Sequence, residues 1–593
     1  MINYQIKLQP EKNTYSIKLS FIAKEPTHLL KLPTWIPGSY MIREFSKNIT
    51  EIFAEQSNNA TNNLISISCV QINKNSWLLL DLEIGNKIEV IYFVYAYDFG
   101  IRTAYLDHTR GYFNNSSLCL YVTNYENTSH KIIIENLPVN WSVATSLENS
   151  AKNEYTAKNY MELIDAPFEL GILKTIEFMV DNTPHYLILS GTILDNIDYD
   201  NFIHDLQKIC AYQIQMFGGT APFAEYKFLL YLGGEIYTGL EHNSSTALMA
   251  PYYSVPLSSN LNQHENEEYI KLLGLISHEY FHSWNVKRIK PEVFNPYDLD
   301  SENYTTLLWW FEGVTSYYDD LVLYRTGIIT KNKYLQIILD NINNVYKYAG
   351  VNKQSLANSS ITSWIKYYRP DENTPNAVVS YYVKGAILAM CLDLYLRDNG
   401  KINLDSVMFE LYKKWQNDGH GINEDELYDL ISKYAGFEVR EWLKPYVYDC
   451  NMLPFKDLLK NFGINLSVRQ NSSFSTVGVI HEQNSNNKAI KNTSDIGCKI
   501  LKIDFGYKIL NIYENSIAAI SNLAPNDVII AINGIKLNNW ERQIALYENE
   551  KSITLNVFRR ETLLNIEVVL TKDVPVNVYD LFIEDDKKLL SWL

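Results

Sequence analysis

The hydrophobic period of this chain changes twice, and each change marks a switch in the kind of structure its residues can form. Up to about residue 180 the pattern is that of strands. Tyr15-Ser16-Ile17-Lys18-Leu19-Ser20-Phe21 alternates with period two, as a half-buried strand does. Ile88 to Val94 is more continuously apolar, the pattern of a strand buried on both faces. Turn residues separate such runs, among them the polar cluster Ser57-Asn58-Asn59 and the Pro37-Gly38 pair. No helix-period segment of useful length interrupts them, which predicts a β-sandwich-like domain over 1–180.

From Asn201 to Phe217 the spacing becomes helical, and a strand-like run follows at Lys227 to Leu232. The spacing then predicts helices over 267–287, 303–326, 333–348, 380–398, 404–417 and 423–434. Gly327, Gly350 and Gly400 stand just past three of them, where a left-handed C-cap favours glycine. After about residue 455 period two returns, in Ile509 to Ile512, Val528 to Ile532 and Ile553 to Val557, with a short helix expected at Ser516 to Ile520. The chain therefore reads as multidomain α+β. An α-rich central domain covers 181–455, a small β-rich domain 456–575 and a tail 576–593.

Composition narrows the partners. Hydrophobic residues make up 46% and charged residues 20% of the 593, the balance of a soluble globular protein. A formal net charge of −16 disfavours phosphate backbones, so no nucleic-acid partner is expected. No apolar run is long enough for membrane insertion, and the N-terminus lacks the pattern of a secretory leader. Cys69, Cys119, Cys210, Cys391, Cys450 and Cys498 are far apart with no CxxC pair, which reads as reduced thiols in a cytoplasmic protein.

The chemistry concentrates at His278-Glu279-Tyr280-Phe281-His282. Histidines four apart share one helical face, so both imidazoles reach a single zinc ion. Glu279 is placed to act as general base on a metal-bound water. Eleven histidines in 593 residues make a chance HExxH an event of order ~0.01 per chain. The next long helix carries Trp309-Trp310-Phe311-Glu312, an acid directly after three aromatic residues. A buried carboxylate is costly unless paired or metal-bound. Glu312 therefore completes a two-histidine, one-glutamate set with one position open for water, the catalytic pattern rather than the four-ligand structural one. Asp319, two turns further on, is a candidate to hold a ligand histidine in one tautomer or, equally, a solvated helix acid. The Trp309-Trp310 pair reads as core.

The extended run from His278 to Pro291, HEYFHSWNVKRIKP, resembles the glycyl aminopeptidase family of gluzincin metallopeptidases, relatives of aminopeptidase N with a PDZ domain appended. Leu32-Pro33-Thr34-Trp35-Ile36-Pro37-Gly38-Ser39-Tyr40 resembles the signature of that family's N-terminal β-domain, and Gly111-Tyr112-Phe113-Asn114 a later part of it. The resemblance covers nearly the whole chain. It implies a thermolysin-like catalytic domain, one zinc ion per chain, and peptide substrates with a free N-terminus that begin with glycine or alanine.

Gly239-Leu240-Glu241-His242 resembles the Gly-x-Met-Glu-Asn motif of the relatives, with Leu240 and His242 replacing Met and Asn. That implies that Gly239 and Glu241 bind substrate, the glutamate taking the free α-amine. Tyr382-Val383-Lys384-Gly385 resembles Tyr-Glu-Lys-Gly, which implies an oxyanion donor at Tyr382, with the adjacent Tyr381 as the alternative and Lys384 structural. From Phe462 the chain resembles a bacterial PDZ domain, a candidate peptide-binding module. There Ile517 stands where Pro is usual, and Asn522 and Asn526 where Gly is usual; Asn tolerates left-handed geometry best among the other residues.

Two other readings are an endopeptidase, for which an amine anchor at Glu241 has no purpose, and an interaction scaffold with a non-catalytic zinc. The oligomeric state is not fixed by sequence.

Overall fold

Alternation along Thr14–Ile22 places Tyr15, Ile17, Leu19 and Phe21 inside and the polar residues between them toward the surface. In the computed structural model this strand lies in an eight-stranded sheet, between Ile2–Gln9 and Lys87–Tyr95. Residues 1–57, 64–259, 263–400, 402–471, 473–481, 495–547, 549–570 and 576–593 are described. Asn58 and Asn59 of the expected polar turn lie outside them.

The described residues divide into two units, Met1–Asn303 with Tyr412–Gly421, and Tyr304–Leu411 with Ile422–Leu593. Within the first, the eight-stranded sheet and two four-stranded sheets enclose a core that includes Tyr4, Ile17, Tyr92, Tyr112 and Leu120. The run Ile88 to Val94 is less enclosed than expected: Ile91 and Phe93 are half-buried, so its second half alternates. A five-stranded mixed sheet follows. Thr183–Gly191, Tyr226–Gly233 and Ser245–Pro251 run parallel, and Thr238–Glu241 adds an antiparallel edge. The helix Tyr199–Met216 makes the crossover a parallel pair requires.

The expected helix 267–287 spans Glu267–Phe281. It stops because the next residues bond among themselves. Lys287 N–H donates to His282 O, Ile289 N–H to Trp284 O, and Arg288 Nη1 to Ser283 O. Val286 sits at φ +105°, a strained value for a β-branched residue.

Of the helix expected over 303–326, 303–307 is not helical; in the second unit helices run Leu308–Phe311 and Gly313–Arg325 with Glu312 at the junction. Of the three glycines expected as left-handed caps, Gly327 alone has positive φ, at +72°. Gly400 is the last residue of the helix Val383–Gly400, and Gly350 lies in a 3-10 turn whose backbone meets Val378 closely. Trp309 and Trp310 are fully buried.

The C-terminal sheet contains Cys498–Ile503, Gly506–Ile512, Val528–Ile532, Ser552–Arg559 and Thr562–Val569 around Ile509, Ile529, Leu555 and Val557. Asn522 and Asn526 are left-handed, at φ 59° and 71°. The residues read as a tail are built into the unit. Val576–Ile583 pairs antiparallel with Ile464–Asn471, and buried Trp592 donates from Nε1 to Tyr317 Oη. No described helix is long and apolar enough to cross a membrane, and all six cysteines are free thiols.

Candidate active site

The HExxH helix is positioned from two sides within the first unit. Gln213 Nε2, on the crossover helix, donates to Ser277 O at 2.9 Å and to Ser277 Oγ at 3.0 Å. Tyr280 Oη lies 2.9 Å from His185 Nε2. Burial pushes the His185 imidazole down to about 4. It is therefore neutral, with Nδ1–H donating to Thr183 O and Nε2 accepting from the tyrosine.

The two motif histidines face each other through Nε2, 3.1 Å apart, with their rings at 85°. His282 Nδ1 lies 2.7 Å from Asn285 O. A carbonyl only accepts, so Nδ1 carries the proton and Nε2 is the unprotonated nitrogen of a neutral ring. Two imidazole nitrogens converging in this way fit a shared borderline-soft cation such as zinc.

The edge strand Thr238–Glu241 packs against this helix and brings Glu241 to it. Glu241, Glu279 and His282 each offer a ligand atom, all within 4.8 Å of one another. All three side chains are buried, and Glu241 Oε1 has no hydrogen-bond partner among the described residues. Two glycines make the approach possible. A Cβ on Gly239 would collide with the Glu279 carboxylate, and a Cβ on Gly38 with that of Glu241. Arg102 fixes the strand by donating to Thr238 Oγ1 at 2.6 Å and Gly239 O at 2.8 Å.

The second unit holds the other candidates. Glu312 is 2% exposed; its N–H donates to Leu308 O, and its carbonyl accepts from Ser316 N–H, which carries the helical bonding across the junction. Tyr367, Tyr381 and Tyr382 stack as a cluster, with Tyr381–Tyr382 centroids 4.8 Å apart. Tyr381 is fully buried and Tyr382 is half-buried. Burial first, and then the Glu312 carboxylate, push the Tyr382 hydroxyl well above its ordinary range, so it stays protonated and able to donate. Asp319 is half-buried on the helix after Glu312, where Oδ1 accepts from Asp320 N–H.

The sequence of residues 3–172 matches the model of the Peptidase M61 N-terminal domain, and 271–388 that of the M61 glycyl aminopeptidases. A crystal structure of an aminopeptidase N family protein from Idiomarina loihiensis is 35% identical, with a TM-score of 0.90 over 100% of both chains. The chain belongs to the M61 glycyl aminopeptidase family. Two structures of an M1 zinc metallopeptidase from Deinococcus radiodurans also match, at 13% identity, TM-scores of 0.48 and 0.49, and 77% of this chain against 94% of theirs. No curated protein matches.

This M61 chain is thus an aminopeptidase-type metallopeptidase, and its fold gives roles to residues that the spacing did not. Asp165 pairs with Lys287 at 2.5 Å, both nearly inaccessible, and the ammonium holds the Asp165 carboxyl well below its usual range. Arg288 spends its guanidinium on the backbone carbonyls of Ser283 and Pro222. Together they staple the segment after the HExxH helix. Asp165→Asn leaves a buried cation without its counter-charge, so unfolding stability should fall by about 3–5 kcal/mol, measured by urea denaturation.

Lys384 is fully buried and its Nζ has no hydrogen-bond partner among the described residues; burial pulls the ammonium down to about 8. Lys384→Met should stabilise the protein at pH 7 by about 1–4 kcal/mol. The folded value lies below the unfolded one, so the penalty is complete below pH 8. It fades as pH rises toward the ordinary lysine value, and thermal melts of the two proteins should converge there.

Proposed function

We propose that the protein is a zinc aminopeptidase that removes small N-terminal residues, glycine or alanine, from peptides. His278, His282 and Glu312 would hold one zinc ion; the facing Nε2 atoms of the two histidines are the observation that supports it. When bound, the ion supplies Lewis-acid polarisation of the scissile carbonyl and acidifies water. Glu279 takes the proton from the attacking water and passes it to the leaving amine. Tyr382 donates to the oxygen on which negative charge develops. Asp319 orients a ligand histidine.

The unpartnered Glu241 Oε1 carries the exopeptidase reading. A buried carboxylate oxygen without a donor is costly, and a substrate ammonium satisfies it. Gly239 and Gly38 give substrate and carboxylate the room they need. Glu241→Gln should therefore lower kcat/KM on free glycyl-anilide by roughly 10- to 100-fold. Equal activity of the variant, or equal cleavage of acetylated glycyl-anilide by the wild type, would favour an endopeptidase.

The C-terminal sheet fits a PDZ-like peptide-binding module, supported by Asn522 and Asn526 in the left-handed turns that glycine usually fills. An extended peptide segment is the ligand such a module would take.

A further inference from the structure

A cavity of about 350 Å³ opens in the first unit, its wall including Pro37, Asp165, His242, Lys287, Lys290 and Tyr297. Its charges do not balance. The Asp165 carboxylate is committed to Lys287. Glu162, also in the wall, reaches Lys158 at 4.0 Å. Lys290 has no carboxylate within ion-pair distance among the described residues; its contact is the Tyr297 ring, 5.4 Å from Nζ. Burial and the neighbouring Lys287 ammonium pull Lys290 down to about 8, as for a cation lacking its anion.

His242 adds a second unsatisfied group. It is 1% exposed and neither ring nitrogen makes a hydrogen bond, Nδ1 lying 3.5 Å from Asp165 Oδ1. Buried polar atoms are normally paired, so an unpaired buried imidazole beside a half-buried lysine with no counter-charge, on one cavity, points to a ligand.

We propose that this cavity is a carboxylate-binding site, in which Lys290 and His242 receive the anion. A carboxylate offers two acceptor oxygens, one for the ammonium and one for an imidazole N–H. One uncompensated positive charge matches a single carboxylate, and Asp165 and Glu162 in the wall oppose a dianionic phosphate. The site lies one residue along the chain from Glu241, and Pro37 precedes the glycine against which the Glu241 carboxylate rests. Its occupant is either an acidic side chain of a peptide whose amine Glu241 holds, which rests on the aminopeptidase reading, or a free carboxylic acid, which does not.

Propionate titrated calorimetrically into the full-length protein, with no peptide present, tests the site without reference to catalysis. The wild type should bind one equivalent. Lys290→Met and His242→Leu should each weaken binding at least about tenfold, and Lys290→Arg should restore most of it. In the unaltered protein, propionate should also protect Lys290 from acetylation by an activated ester, read by peptide mass mapping. No binding, no protection, or wild-type affinity in both folded variants overturns the proposal. Anilide kinetics then separate the sources. Loss of glycyl-glutamate hydrolysis, run beside the anilide, with glycyl-anilide spared in Lys290→Met assigns the site to the peptide; both rates unchanged assigns it to a free acid.

Discussion

Glu279→Gln is expected to lower kcat on glycyl-anilide by about 10²- to 10⁴-fold while leaving the metal content of the protein unchanged. The substitution keeps the shape of a buried side chain that lies among Glu241 and His282. It removes only the capacity to take a proton. The histidine pair that supports the metal reading keeps its own support, because the Asn285 carbonyl that accepts from His282 Nδ1 is unchanged. Metal analysis alongside kinetics therefore separates loss of the base from loss of the ion. Activity retained in a metal-loaded variant would remove Glu279 from the mechanism.

Gly385→Val is the second large effect, and it acts through packing. Gly313 and Gly385 meet backbone to backbone: a Cβ on Gly385 would stand 2.8 Å from Trp309 O and 2.9 Å from Gly313 Cα. This contact joins the helix that begins after Glu312 to the helix that begins after Tyr382. A larger side chain has to part them, at about 1–3 kcal/mol of stability or more. It also moves Tyr382 relative to Glu312, and misplacement by about 1 Å can cost 10²-fold in rate. The expected result is a lower melting temperature together with a fall in kcat larger than any change in KM. Unchanged melting and activity would mean that the glycine pair does not set the spacing of the two residues.

What could be read along the chain was what local chemistry dictates. The period-two pattern of Thr14–Ile22 and the length of the helix Tyr199–Met216 follow from side-chain pattern near those residues, and the left-handed Asn522 and Asn526 from a resemblance that has glycine at both places. The HExxH spacing put His278 and His282 on one face for the same reason. The misses were non-local. Gly350 looked like a helix cap, but the backbone of Val378 decides its place; Gly400 stays inside its helix against Phe437 and Ala435. The helix expected to reach 287 ends at Phe281 because Arg288 folds back on Ser283 O and reaches Pro222 O, 66 residues away. Gly38 and Gly385 were visible as members of motifs, but their partners, Glu241 and Gly313, lie far off in sequence. A motif's glycine announces a close approach without naming what approaches.

The most direct test of the central claim is hydrolysis of glycyl- and alanyl-anilide, each with free and acetylated amine, before chelation, after chelation, and after zinc is restored. The account predicts cleavage of the free-amine substrates alone, abolished by chelator and recovered with zinc. Cleavage that survives chelation would contradict the metal-dependent mechanism, and acetylated substrates cut as fast as free ones would contradict the amine-binding role of Glu241.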